Sequence, residues 1–178
     1  SLRDVPTAIQ EVSLYKQHGG NSLVETSSIG LGRDPIGLAR ISRASGINII
    51  MGASYYVPIA HPPDMDSSSE DDLVEGIVRD VTEGVDGTGL RSGVIGEVGC
   101  WYPLTDNGLK VLRASGRAQR ITGAPISIHP GRNVKAPLEI IDILSQVGAD
   151  LGHTVMSHLE RTFTKVSEFK AVAESGCY

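Results

Sequence analysis

The chain has 178 residues, 40% of them hydrophobic, and a formal charge of -5 with no lysine- or arginine-rich run. This fits one domain over residues 1–178 with a sizeable core, and it gives no electrostatic footprint for nucleic acid or an acidic membrane, so a small molecule is the expected partner. No apolar stretch reaches the ~20 residues that span a bilayer, and the widely spaced Cys100 and Cys177 fit no metal or redox motif, which points to core thiols in a reduced, cytoplasmic protein.

Along the chain, helical and extended patterns alternate. Helical spacing is expected over 4–18, ending at Gly19 or Gly20, ahead of a β-rich run over 21–26. "GLGRDP" follows, and its glycines before a helix suit either a phosphate cradle or a tight turn; the lack of GxGxxG and of a P-loop lysine favours the turn. Asp34 and Pro35 are an N-cap and a first-turn proline for a helix that stops at Gly46. A run over 47–56 ends in Tyr55 and Tyr56, placed either to line a pocket or to pack a rim. "HPPDMDSSSEDD" is the most loop-like stretch and is expected over one mouth of the sheet, with Ser69 opening an acidic first helical turn. Strands over 92–98, 124–130 and 154–159 then alternate with helices over 104–123, 136–148 and 164–176. The chain starts without methionine, and its last residues, "ESGCY", read as a helix end leading into another strand, so an excerpt of a longer sequence is expected.

Strands alternating with helices imply right-handed βαβ units and a parallel sheet covered by helices. Periodicity alone does not choose between an open doubly wound sheet and a (β/α) barrel, although a full barrel takes about 250 residues.

The chemistry gathers at strand ends. In "SGVIGEVGC" an apolar run is interrupted by Glu97, and a buried carboxylate without a partner is costly enough to demand a cation, a proton or a metal. His129 in "ISIHPG" and His158 in "VMSHLE" sit near the C-terminal ends of the next two strands, about 4.8 Å apart strand to strand, at the end where α/β folds carry their active sites. Imidazoles and a carboxylate are ligands that zinc takes, and a carboxylate can bridge two ions. Taken singly, each has a plainer reading as a hydrogen-bonded structural histidine or a solvent-facing acid. His18, His61 and His153 lack this register and read as a helix-end cation, a loop residue and a surface group, while Glu25 reads as either a supporting acid or an exposed one.

Five blocks, "GLGRDP", "INIIMGASYY", "GVIGEVGCWYPLT", "ISIHPGRNVKAPLEIIDIL" and "VMSHLERT", resemble the phosphotriesterase-related branch of the phosphotriesterase family in the amidohydrolase superfamily. The resemblance implies a (β/α)8 TIM barrel, present here as a partial barrel over about strands 2 to 6. It also implies hydrolysis assisted by two divalent metal ions, zinc as the family usually has it. By that resemblance His129 and His158 hold one ion and Glu97 bridges the pair. The family's HxH pair and its general-base aspartate lie outside these 178 residues, so the excerpt alone is expected to be inactive. The substrate implied is a small amide such as N-acetyltaurine; a phosphotriester or lactone is the alternative, as is a truncated barrel that acts only by binding. Tyr56 and Arg132 are the expected substrate-binding residues, Arg132 holding an anionic tail or else pairing with a surface acid.

Overall fold

Aliphatic and β-branched runs form five strands, β1 (Ser22–Glu25), β2 (Asn48–Ala53), β3 (Val94–Gly99), β4 (Ile126–His129) and β5 (Thr154–Met156). In the computed structural model, which describes residues 4–178, they pair in parallel in the order β1-β2-β3-β4-β5. The helices are α1 (Val5–Gln17), α2 (Pro35–Ser45), α3 (Glu70–Thr82), α4 (Asp106–Thr122), α5 (Ala136–Gln146) and α6 (Val166–Glu174). When every sequence neighbour is also a sheet neighbour, right-handed crossovers keep the helices on one face; a doubly wound sheet instead reverses its order part-way. The winding is therefore that of a barrel. Tyr178 continues it, its N–H donating to Thr154 O (3.0 Å) and its carbonyl accepting from Met156 N (2.7 Å).

The helix signals act as local chemistry requires. Asp34 Oδ1 accepts from Gly37 N at 2.8 Å, and Ser69 forms a reciprocal capping box with Asp72. Gly46 and Gly123 close α2 and α4 at φ 67° and 72°, a conformation that side chains rarely adopt. "GLGRDP" serves as a turn, and its Arg33 reaches 2.6 Å to Asp80 on α3 in a buried ion pair. The loop around "HPPDMDSSSEDD" is pinned to α4, where Lys110 donates to the carbonyls of Met65 and Ser68.

One face of the sheet makes the core. Ala53, Ile95, Val98, Ile126 and Ile128 are buried against Ile77, Val111, Leu112, Ile140 and Leu144 of the helices, each large aliphatic contributing roughly 1.5–3 kcal/mol of transfer free energy. Cys100 and Cys177 are buried free thiols, as expected. On the opposite, concave face the alternate residues Val24, Ile50 and Val155 are 54%, 37% and 43% exposed, which makes this the lining of the barrel rather than its packed exterior. Among the described residues no helix is long and apolar enough to cross a membrane.

Two strands stop earlier than their apolar runs. β2 ends at Ala53, because Ser54 turns to φ 76°, and β5 ends at Met156, because His158 takes up φ 60°. Tyr55, Tyr56 and His158 thus lie in loops beyond the strands.

Candidate metal centre

Glu97 reaches the concave face through an irregularity in β3. Ile95 pairs with Ile126 and Val98 with Ile128, so β3 carries one more residue than β4 over the same span. A bulge of this kind re-aims a side chain, and here it keeps Ile95 and Val98 in the core while Glu97 turns to the lining. Gly52 makes room for the arrangement. A Cβ there would lie 2.0 Å from Gly96 O and 3.1 Å from Thr26 Cα, and it is across this gap that Glu97 N–H donates to Thr26 O at 3.2 Å.

His129 stands opposite Gly99, not Glu97, so the acid starts two residues deeper than strand-end spacing suggests. The length of the glutamate side chain covers the difference. Oε2 lies 2.9 Å from His129 Nδ1 and Oε1 lies 3.0 Å from His158 Nε2, so each carboxylate oxygen meets a different imidazole. One donor atom from each of the three residues falls within 4.8 Å of the others. The two rings meet edge to face, 4.9 Å apart. Burial pushes the Glu97 carboxyl up, but the hydrogen bonds and charges of the two histidines outweigh it and hold the group below its ordinary value. Glu97 is thus an anion held by two imidazoles, and two nitrogens with a divided carboxylate form a donor set that zinc accepts. Cys100, three residues on, is not part of it: burial pushes its thiol up to about 12.

Tyr56, in the loop beyond β2, brings its Oη to 3.1 Å from His129 Nδ1 and 3.2 Å from Nε2. Burial, then the Glu97 charge, pushes its phenol up. Arg132 is exposed and makes no hydrogen bond or ion pair among the described residues. The arginine at the cluster is Arg161, which sequence spacing does not single out. Its Nη1 lies 3.2 Å from His129 Nε2, its Nη2 donates to Pro130 O at 3.3 Å and its Nε to His158 O at 3.4 Å. Arginine can only donate, so His129 Nε2 is the acceptor of that contact. The signal for Arg161 was its place three residues after His158 in "SHLER", but only the turn over Leu159–Arg161 folds it back.

The other candidates stay apart. Glu25 Oε1 accepts from Ser27 Oγ at 2.6 Å, His61 Nε2 lies 2.8 Å from Tyr56 O, and His18 and His153 bond to Leu14 O and Asp150 on exposed surfaces.

Comparison with known proteins places the fold in a family. The sequence model of the Phosphotriesterase family matches residues 2–178. An N-acetyltaurine hydrolase of Dictyostelium discoideum is 42% identical over 99% of the chain and 48% of its own length. The crystal structure of a resiniferatoxin-binding protein from Rhodobacter sphaeroides superimposes with a TM-score of 0.95 at 36% identity, over 99% of this chain and 49% of that one. That of a lactonase from Listeria monocytogenes gives 0.91 at 26% identity, over 98% and 58%. The chain spans about half the length of the curated relatives it matches.

Proposed function

The chain belongs to the phosphotriesterase family, built on the TIM barrel, and from that premise we propose that the whole protein is a hydrolase dependent on two divalent metal ions, zinc in our reading. The observation that carries this is the division of the Glu97 carboxylate between His129 and His158, with all three donors within 4.8 Å. Glu97 would join the two ions, and His129 and His158 would hold one of them. When bound, such ions polarise the scissile bond and lower the pKa of water.

The chain's own residues supply position and exclusion. The lining between β3 and β5 fixes the carboxylate, and Tyr56 covers His129 from the side at a ring distance of 5.0 Å. The substrate we favour is a small amide of the N-acetyltaurine kind, supported by relatives 42% and 43% identical that carry that name. A lactone is the second reading, supported by the likeness to the Listeria lactonase. The test is to express the whole protein, count its metal and compare hydrolysis of N-acetyltaurine, simple lactones and phosphotriesters. Zinc near two per chain with turnover of the amide fits the proposal; turnover without bound metal overturns it.

A further inference from the structure

Arg161 is half-buried at the cluster, yet its partners are all uncharged: an imidazole nitrogen and two backbone carbonyls. Among the described residues it has no carboxylate within ion-pair distance, whereas Arg33, Arg113 and Arg117 each meet one. A guanidinium carries five N–H donors. Three are used, which leaves one on each terminal nitrogen. That pair can fork onto two oxygens of one sulfonate or carboxylate.

We propose that Arg161, not the exposed Arg132, is the residue that selects an anionic tail on the substrate. The substrate class is a short acylated amino-sulfonate or amino-carboxylate, and in this respect the inference rests on the hydrolase reading above. Tether length supports it. In an acylated two-carbon amino-sulfonate, standard bond lengths put the sulfur only about 5 Å from the amide carbon. Arg161 Nη1 lies 3.2 Å from His129 Nε2, so a molecule cleaved beside His129 holds its tail within reach of this side chain. The bonds to the carbonyls of His158 and Pro130, which do not depend on the state of the His129 ring, already orient the guanidinium, so little ordering is left for the substrate to impose.

The experiment compares the zinc-loaded whole protein with its Arg161→Ala, Arg161→Lys and Arg132→Ala variants. Substrates are N-acetyltaurine and the uncharged methyl sulfone of the same length, zinc content is measured for each protein, and ethanesulfonate is titrated by calorimetry. For Arg161→Ala, kcat/KM on N-acetyltaurine is expected to fall roughly ten- to a hundredfold, chiefly through KM, as loss of a charge-assisted contact implies. The sulfone should change less than about threefold, zinc content should hold, ethanesulfonate should bind correspondingly more weakly, and lysine should restore part of the loss. Equal losses on both substrates, or loss of zinc, overturn the proposal and make Arg161 a positioning residue for His129. A larger fall in Arg132→Ala gives the role to Arg132. If the unaltered protein cleaves neither amide, the hydrolase reading fails separately, and the ethanesulfonate titration still decides: binding that Arg161→Ala abolishes sustains the anion site, and no binding removes it.

Discussion

Glu97 accepts an imidazole on each carboxylate oxygen, and its two partners come from different strand–loop units. Replacing it with glutamine keeps the size and removes the charge that both ions would share. Zinc affinity of the whole protein should fall by at least about tenfold, the smallest loss usually seen when even an outer partner of a metal site is changed; unchanged zinc content in Glu97→Gln would contradict the site. His61 gives a prediction of another kind. Burial holds it below its ordinary value of 6.5, while its neutral ring bonds to Tyr56 O. The unfolded chain takes up a proton near 6.5 and the folded one resists, so this contribution to stability is complete above pH 6.5 and is lost as pH falls through the lower folded value. Melting temperature recorded against pH should therefore drop on acidification below 6.5, and His61→Gln should flatten that part of the curve.

Among elements, α3 depends on its first turn. Ser69 Oγ accepts from Asp72 N at 3.1 Å, and Asp72 Oδ2 accepts from Ser69 N at 2.8 Å. Ser69→Ala should cost about 1 kcal/mol in chemical denaturation, with metal content unaffected because α3 lies on the far side of the sheet from the lining. β2 has a different weak point. Gly52 lets Thr26, just beyond β1, meet β3 over it, and an added methyl would press on backbone atoms that cannot swing away. Gly52→Ala should lose roughly 1–3 kcal/mol or more and should also weaken zinc binding, since the Glu97 N–H to Thr26 O contact sets the acid's depth. A stable variant with normal zinc would show that the strands can part without moving Glu97.

For the whole molecule, the exposure of Val24, Ile50 and Val155 on the concave face says that this sheet is the inner wall of something wider. Water against such a wall is unfavourable, at roughly 25 cal/mol per Å² of apolar surface. Expressed by itself, the 178-residue chain should bind fewer than two zinc ions and show no hydrolysis, because the described residues gather only one such group of three donors. It should also bind a hydrophobic dye through its open lining. Two ions per chain and measurable turnover would refute this expectation.

Alternating apolar runs, capped helix starts and glycine stops were enough to set out the five strands and six α-helices, though not the short 3-10 turns such as Leu159–Arg161, because these signals act over a few residues. The residues of the three-donor group were also legible, since strand-end positions recur once per βα unit. Barrel winding was not legible in the periodicity, since the same period serves a doubly wound sheet; the family resemblance implied it, and the order β1-β2-β3-β4-β5 shows it. Nor was the depth of Glu97, which depends on an extra residue in β3 and on the missing side chain of Gly52 a strand away. That Arg161 rather than Arg132 stands against His129 was hidden for the same reason. Both follow a donor histidine by three residues, and what separates them is backbone path: His158 at φ 60° and the turn after it fold Arg161 onto His129, while the loop after β4 leaves Arg132 in water. Local sequence sets which residues lie near the end of a strand; where the strand stops and where the next side chain points are decided by contacts between units, which only the folded chain makes.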